Sequence, residues 1–499
     1  MRYLQRGFPW ETCSRGGGEG SQAVWGVSDE VSRVGGVKWD IIVHRLITIF
    51  ERQAISFQAL GLTANDPFWA TLDRLNQSSG RELIRLERNR LRATQFVGVI
   101  QAGEYTIQIL PKIDCDPEAN TEAVIGSPAY QRAATSAAQN FLYLLTHARQ
   151  LKLHNQSLAT LNTNRGAWLE MLTRLFAVEL LTQLQQGFHQ DYVRREDLLP
   201  YVRGRWNIAR QFSRHPNLIR GLDVSYDDYL PDTSLNRVFR LAVDRLQQIT
   251  RDPQNRQMLA DLESWLQPVQ LPALLSLVDL DQVKFNRLNE RFYPAFQLAR
   301  LLLEGLTVQL LAGGQRAFAF VFDMDRLFEQ FVASFLQTYR RRILPENWRD
   351  LPIEMQGGIT KRYMVQPIPV SEKPMFLLRP DILLGLPGQP NLIIDTKNKS
   401  LPLMQSYRAV AEGDAYQMLA YATQFHCPNI LLLYPHTLGA ESFPPKALMI
   451  EQTSIRLFVA TLNLHQPLNH IFPLVQELRN ILYSISLQID SPSEVTWPA

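Results

Sequence analysis

Residues 379–399 read RPDILLGLPGQPNLIIDTKNK. An apolar run, DILLGL, turns back through Leu-Pro-Gly-Gln-Pro, and a second apolar run, NLII, closes on Asp-Thr-Lys. Unpaired charge is costly to bury, so acidic and basic groups at the ends of two apolar strands are poor core material and point to a site. Residues two apart on a strand share a face, which aims Asp395 and Lys397 one way and Thr396 the other. The LPGQP turn can bring Asp381 beside them. Two carboxylates so placed suit Mg²⁺, a hard cation that takes oxygen ligands and keeps several waters. Such an ion on a phosphodiester polarises the phosphoryl oxygen and acidifies a bound water, and Lys397 is placed to orient that water or stabilise the growing charge. The implied chemistry is hydrolysis.

Pro-Asp followed by Asp-x-Lys recurs by chance in long chains, so the flanks matter. Leu392, Ile393 and Ile394 put the Asp-Thr-Lys at a strand end, and the helical stretch that follows, YRAVAEGDAYQMLAYATQF (407–425), sets Asp414, Gln417 and Tyr421 on one face. Upstream, FDMDRLFEQFVASFLQTYRRR (322–342) reads as a helix that Leu327, Phe328, Phe331 and Val332 anchor on the sheet. It carries Glu329, which on its own would be an ordinary solvated acid. Helix, strands, helix, strand is an α/β arrangement around a central mixed sheet.

Earlier segments are organised differently. Phe96 to Ile100 and Tyr105 to Leu110 are β-rich runs joined across Gly103, a hairpin signal. RELIRLERNRLR (81–92) places Arg81, Arg85, Arg88 and Arg92 at near-helical spacing, readable as a solvated face or a binding surface. Trp168, Met171, Leu172 and Leu175 mark an amphipathic helix with Gly187 as its stop. YVRREDLLPYVRGRWNIARQF (192–212) mixes Arg203, Arg205 and Arg210 with Tyr201 and Trp206, a mixture that holds nucleic acid or packs on a neighbour. Residues 231–305 read as a helical connector, with Thr233 or Ser234 capping its first helix.

At 499 residues the chain exceeds the size of one core, so two or three domains are expected. The expected layout is a flexible leader over 1–40, a β-rich N-terminal domain over 41–230, the connector over 231–305, and the α/β domain over 306–499. A hydrophobic fraction of 45% and a net charge of +3 describe an ordinary soluble protein, leaving room only for a local basic groove. Cys13, Cys115 and Cys427 lie far apart without metal-ligand spacing, which fits a reducing, cytoplasmic setting. No uninterrupted apolar run of about 18 residues marks a membrane helix.

The motifs RPD (379–381), IIDTK (393–397), YQMLAYA (416–422) and MDRLFEQFV (324–332) resemble the PD-(D/E)xK nuclease domain of the McrC family, whose members are nuclease subunits of McrBC methylcytosine-dependent restriction systems. VGVIQAGEYTIQILPKI (97–113), LLPYVRGRW (198–206) and SLNRVFRLAVDRL (234–246) extend the likeness to roughly residues 41–480. The resemblance implies that Asp381 and Asp395 are metal ligands for Mg²⁺, that Lys397 is the catalytic lysine, and that Glu329 is the upstream acidic position. Gln417 and Tyr421 match a supporting Q-x-x-x-Y element. Asp325 stands where the family often has Asn. The chain has no GxxxxGK[ST] loop, and the family implies a separate McrB-like AAA+ GTPase ring that recognises modified double-stranded DNA. The N-terminal part would then bind the ring, with the Arg-rich segments 81–92 and 203–210, Arg203 and Arg205 in particular, as contacts. Two alternatives share these residues: a regulator with a decayed nuclease fold, and a repair nuclease that needs no GTPase.

Overall fold

Leu392, Ile393 and Ile394 are apolar without alternation, so the strand they form, Gln389–Thr396, can be covered on both faces. In the computed structural model it lies inside a six-stranded sheet ordered Ile353–Met355, Ile382–Leu386, Gln389–Thr396, Asn429–Pro435, Arg456–Leu462, Lys446–Met449. Gln389–Thr396, Asn429–Pro435 and Arg456–Leu462 run parallel, and the remaining pairs are antiparallel. Ile382, Leu384, Leu392 and Ile394 pack on the side of helices Met324–Thr338 and Ile471–Asp490. Leu383, Ile393, Ile430 and Leu432 pack on Met418, Tyr421, Ala422 and Phe425 of helix Glu412–Phe425. This is the α/β arrangement expected, a mixed sheet between helices.

The structure describes residues 45–112, 128–148, 168–214, 221–272, 280–368, 373–399, 410–436 and 445–490, apart from positions 61, 64–65, 103–104, 313–314, 359, 467 and 469. The leader expected over 1–40 and the turn at Gly103 fall outside the described residues.

A second sheet has five strands, ordered Arg45–Phe50, Tyr105–Leu110, Phe96–Ala102, Gln315–Asp323, Leu306–Ala312. The expected hairpin is present, with Phe96–Ala102 antiparallel to Tyr105–Leu110. A boundary at 305/306, however, separates strands that are hydrogen-bonded together, because Gln315–Asp323 pairs along the whole of Phe96–Ala102. Gly98 makes that approach possible: a Cβ there would lie 2.1 Å from the Phe320 carbonyl oxygen. The N-terminal sheet thus takes two strands from the start of the segment assigned to the α/β domain.

The Arg-rich stretch is not helical. Ile84–Glu87 and Arg90–Ala93 form an antiparallel hairpin in a small sheet with Ala54–Ser56, packed on helix Pro67–Ser79. Period two wins over the near-helical arginine spacing because it puts Ile84, Leu91 and Ala93 into the core together while Arg85, Glu87, Arg90 and Arg92 stay on the other face.

Elsewhere local rules hold. Trp168, Met171, Leu172 and Leu175 are all buried on helix Trp168–Gln185, and Gly187 follows its end at φ 113°. The Thr233 hydroxyl accepts from the Asn236 N–H and caps helix Ser234–Ile249. Helices Pro253–Trp265 and Tyr293–Gly305 follow it among the described residues. Among the described residues no helix is long and apolar enough to cross a membrane.

Helix Ile471–Asp490 carries a pH-sensitive group. Burial pushes the Glu477 carboxyl up to about 7, against the opposing bond it accepts from the Asn463 N–H. The folded state holds this proton more tightly than the unfolded state, whose carboxyl titrates at about 4.3. The associated stability is therefore complete below that value and is lost as pH rises through about 7. Glu477→Gln keeps an acceptor for the Asn463 N–H without the charge. It is expected to stabilise the chain by on the order of 1–2 kcal/mol at pH 8 and not at pH 4; equal melting midpoints for variant and wild type at both pH values would contradict this.

Candidate active site

The two-residue turn at Pro387-Gly388 sets Ile382 opposite Ile394, and this register places Asp381 next to the Asp395 end of the neighbouring strand. Asp381 Oδ2 accepts the Thr396 backbone N–H at 2.7 Å and the Thr396 hydroxyl at 2.6 Å. Thr396 thus holds Asp381 through both its backbone and its side chain. Asp395 is only 1% exposed. Lys397 Nζ stands 2.7 Å from Asp395 Oδ2, in an ion-pair contact without hydrogen-bond alignment.

Helix Glu412–Phe425 presents its i, i+3, i+7 face to this strand end. Lys397 Nζ donates to Gln417 Oε1 at 3.0 Å, Gln417 Nε2 to the Tyr421 hydroxyl at 2.8 Å, and that hydroxyl to the Arg379 carbonyl at 3.0 Å. The relay ties the lysine back to the residue two before Asp381. Asp414 on the same face accepts from Lys399 at 3.0 Å.

Glu329 approaches from the other side of the sheet. It accepts from Gln356 Nε2 at 2.8 Å, while the Gln356 backbone N–H donates to the Asp381 carbonyl at 2.8 Å. Gln356 has φ 54°, a left-handed conformation uncommon for a residue other than glycine and frequent at functional positions. Glu329, Gln356 and Asp381 line a cavity of ≈ 550 Å³ whose opposite wall is helix Tyr293–Gly305, through Tyr293, Phe296 and Arg300.

The electrostatics match this crowding. Burial first, and then Asp381 beside it, push the Asp395 carboxyl up to about 7 although Lys397 pulls it down. Burial raises Asp381 against the two Thr396 bonds, and burial and Asp381 together raise Glu329. Burial opposes the Lys397 charge, yet Asp395, with Asp381 and Asp414, outweighs it and holds the ammonium above its ordinary range. Three carboxyls around one lysine carry an excess of negative charge that a cation would relieve. Among the described residues no group of three His, Cys, Asp or Glu side chains is close enough to enclose a metal. Two carboxylates with the remaining positions left to water suit Mg²⁺ better than a caged ion.

A family model described as McrBC 5-methylcytosine restriction system component matches residues 91–435, more than half of the chain. The chain belongs to the McrBC family.

Two solved structures are similar to this McrBC-family chain. One is a chain in the refined half-complex from the tetradecameric assembly of Thermococcus gammatolerans McrB AAA+ hexamers with bound McrC, 20% identical, with a TM-score of 0.60 over 88% of this chain and 100% of that one. The other is a chain of the Thermococcus gammatolerans McrBC complex, 24% identical, covering 60% of this chain and 88% of that one at a TM-score of 0.44. The first likeness shows a shared fold. No curated protein matches the chain.

Of the residues singled out in the sequence of this McrBC-family member, Asp381, Asp395, Lys397, Gln417 and Tyr421 converge directly, and Glu329 joins them through Gln356. Arg203 and Arg205 do not. Arg205 lies on a three-stranded sheet ordered Asp191–Leu199, Leu222–Leu230, Arg205–Trp206, and Arg203 just precedes its strand. There Arg203 pairs with Asp228 at 2.8 Å and stacks on the Tyr226 ring at 3.9 Å. Sequence reading missed Gln356, for which Gln-Gly-Gly at 356–358 is the one local hint. It also missed a buried cluster just beyond the lysine. Asn398 Nδ2 donates to Glu51 Oε1 at 2.9 Å and to Asp325 Oδ1 at 3.2 Å, and Lys112 Nζ donates to the Asn398 carbonyl at 3.0 Å. Nothing local signals that cluster, since its four members come from four distant stretches.

Proposed function

We propose that this chain is the Mg²⁺-dependent DNA endonuclease subunit of a GTP-driven restriction complex that acts on methylcytosine-containing DNA. The observation that carries the reading is the buried Asp395 with Lys397 2.7 Å from it, beside an Asp381 anchored by Thr396. When bound, Mg²⁺ would supply phosphoryl polarisation and an acidified water. Asp381 and Asp395 would hold it, Asp381 being fixed by the two Thr396 bonds to its Oδ2. Lys397, kept protonated by Asp395 and aimed by Gln417, stabilises charge growing on the phosphate in a site where water is scarce. Glu329 acts through Gln356, fixing the backbone that carries Asp381. An intact set of this kind argues against a decayed fold that only regulates.

The similar solved chain comes from an assembly of McrB AAA+ hexamers with bound McrC, and we assign this chain a partner of that kind, with methylated double-stranded DNA as the shared substrate. The ring-facing surface is assigned to the sheet with Arg203 and Arg205, where the exposed rings of Tyr192 and Tyr229 lie 5.2 Å apart and Tyr201 and Phe212 are exposed as well, apolar exposure of the sort that marks protein contacts. The test combines the chain, its AAA+ partner, GTP and methylated plasmid. Cleavage is expected to require Mg²⁺ and to stop on chelation followed by Ca²⁺, which binds oxygen ligands with looser geometry. Cutting that persists in chelator would refute the metal role, and cutting without GTP or the partner would favour the GTPase-independent nuclease.

A further inference from the structure

The small N-terminal sheet holds a second constellation. Arg52, Arg81, Arg85 and Arg92 line a groove of ≈ 560 Å³, together with Glu82, Thr94, Gln95 and Phe96. Four arginines and one glutamate line it, the arginines coming from two separate stretches of chain, residue 52 and residues 81–92. A solvated face does not call for guanidinium groups from separate segments to converge on one concavity.

The strand register makes the arrangement costly without a ligand. Arg85 and Arg92 are direct cross-strand partners on the exposed face of the hairpin, and like charges directly opposite each other are destabilising. Arg85 leans on the exposed Glu82 and Arg92 on the half-exposed Glu87, each at 2.7 Å, while Arg52 reaches the buried Glu51 and the half-exposed Asp325 at 3.2 Å each. The exposed pairs of Arg85 and Arg92 contribute little and yield to a bidentate phosphate. Arg52 is also held at φ 63°, a conformation that side chains other than glycine avoid and that clusters at ligand clamps.

The groove runs towards the candidate active site. Asp325 Oδ1, which accepts from Arg52, also accepts from Asn398 at 3.2 Å, and Asn398 directly follows Lys397. We propose that this arginine groove binds the phosphodiester backbone of DNA and leads the duplex to the nuclease strand, an assignment that rests on the nuclease reading above. It moves the 81–92 segment from the ring to the DNA.

The test measures binding of a short fluorescent duplex to the full-length chain across a potassium chloride series, with Asp395→Ala present so that nothing is cut. Each phosphate that is no longer neutralised makes the slope of log K against log salt shallower by about 0.9. Arg81→Gln, Arg85→Gln and Arg92→Gln together are therefore expected to flatten it by about 2–3 and to weaken binding at least about tenfold at physiological salt. The three matching Arg→Lys changes should keep the slope, which separates removal of charge from failure to fold. An unchanged slope in the Gln variant overturns the proposal, and more so if stimulation of the partner's GTP turnover falls, since the arginines would then touch the ring. Cleavage is scored separately with Asp395 intact. A chain that binds through these arginines yet never cuts would leave the groove in place and remove the nuclease reading.

Discussion

Asp395→Ala is expected to lower DNA cleavage by roughly 10³-fold or more while stimulation of the partner's GTP turnover stays at the wild-type level. A cation that stabilises transition-state charge contributes several kcal/mol, and each 1.36 kcal/mol is about tenfold in rate. Asp395 is the most buried of the acidic groups at the strand end and the foremost of those that favour the Lys397 charge, so its removal strikes both at once. Lys397→Met should lose about 10²–10³-fold through the second effect alone. Lys397→Arg should not restore it, because a planar guanidinium cannot reproduce a point charge seated between Asp395 Oδ2 and Gln417 Oε1. The measurement is plasmid cleavage and GTP turnover in the same mixture. Should Asp395→Ala cut as fast as wild type, the strand end is not the hydrolytic site. Should both variants also lose GTP stimulation, the nuclease and partner-activating parts are not separable.

The largest stability effect is expected at Lys112, in the seam between the two large sheets. Lys112 and Glu51 are both buried at the end of the N-terminal sheet, and together with Asp325 and Asn398 they join it to the strand that carries Lys397. Burial raises the Glu51 carboxyl and lowers the Lys112 ammonium, while the opposite charge of each works against that shift in the other. Lys112→Met leaves Glu51 with one cation fewer in a dry environment and should cost about 3 kcal/mol, the scale of breaking a buried pair by removing one partner. Glu51→Gln in the same chain should recover much of the loss, since it removes the charge left behind. Thermal melting of the single and double variants decides this, and a double variant no more stable than Lys112→Met would mean that Glu51 was never the source of the loss. Because Lys112 holds the Asn398 carbonyl, cleavage should fall in the single variant even below its melting range.

The candidate strand end was readable from residues 379–399 because its information is local. A β-strand alternates with period two, a Pro-Gly turn returns the chain after two residues, and a helix repeats a face at i, i+3 and i+7. These rules suffice to put Asp395 with Lys397, Asp381 beside them, and Gln417 with Tyr421 above them. The same local reasoning failed at 81–92, where arginine spacing suggested a helix. The deciding quantity there was burial of Ile84, Leu91 and Ala93 against helix Pro67–Ser79, and a charged face carries no record of what lies behind it.

By itself the sequence determined the strands, their turn, the caps and the identity of the charged groups that meet at the Asp-Thr-Lys end. Only the tertiary structure decided that Gln315–Asp323 joins the N-terminal sheet through Gly98, that Thr396 holds Asp381, that Gln356 links Glu329 to it, and that Glu51, Lys112 and Asn398 close the seam. The physical reason is range. Backbone periodicity acts between residues a few positions apart and is written in the spacing of side chains, whereas a hydrogen bond between residues 286 or 347 positions apart depends on how whole sheets pack, which no short stretch of sequence records.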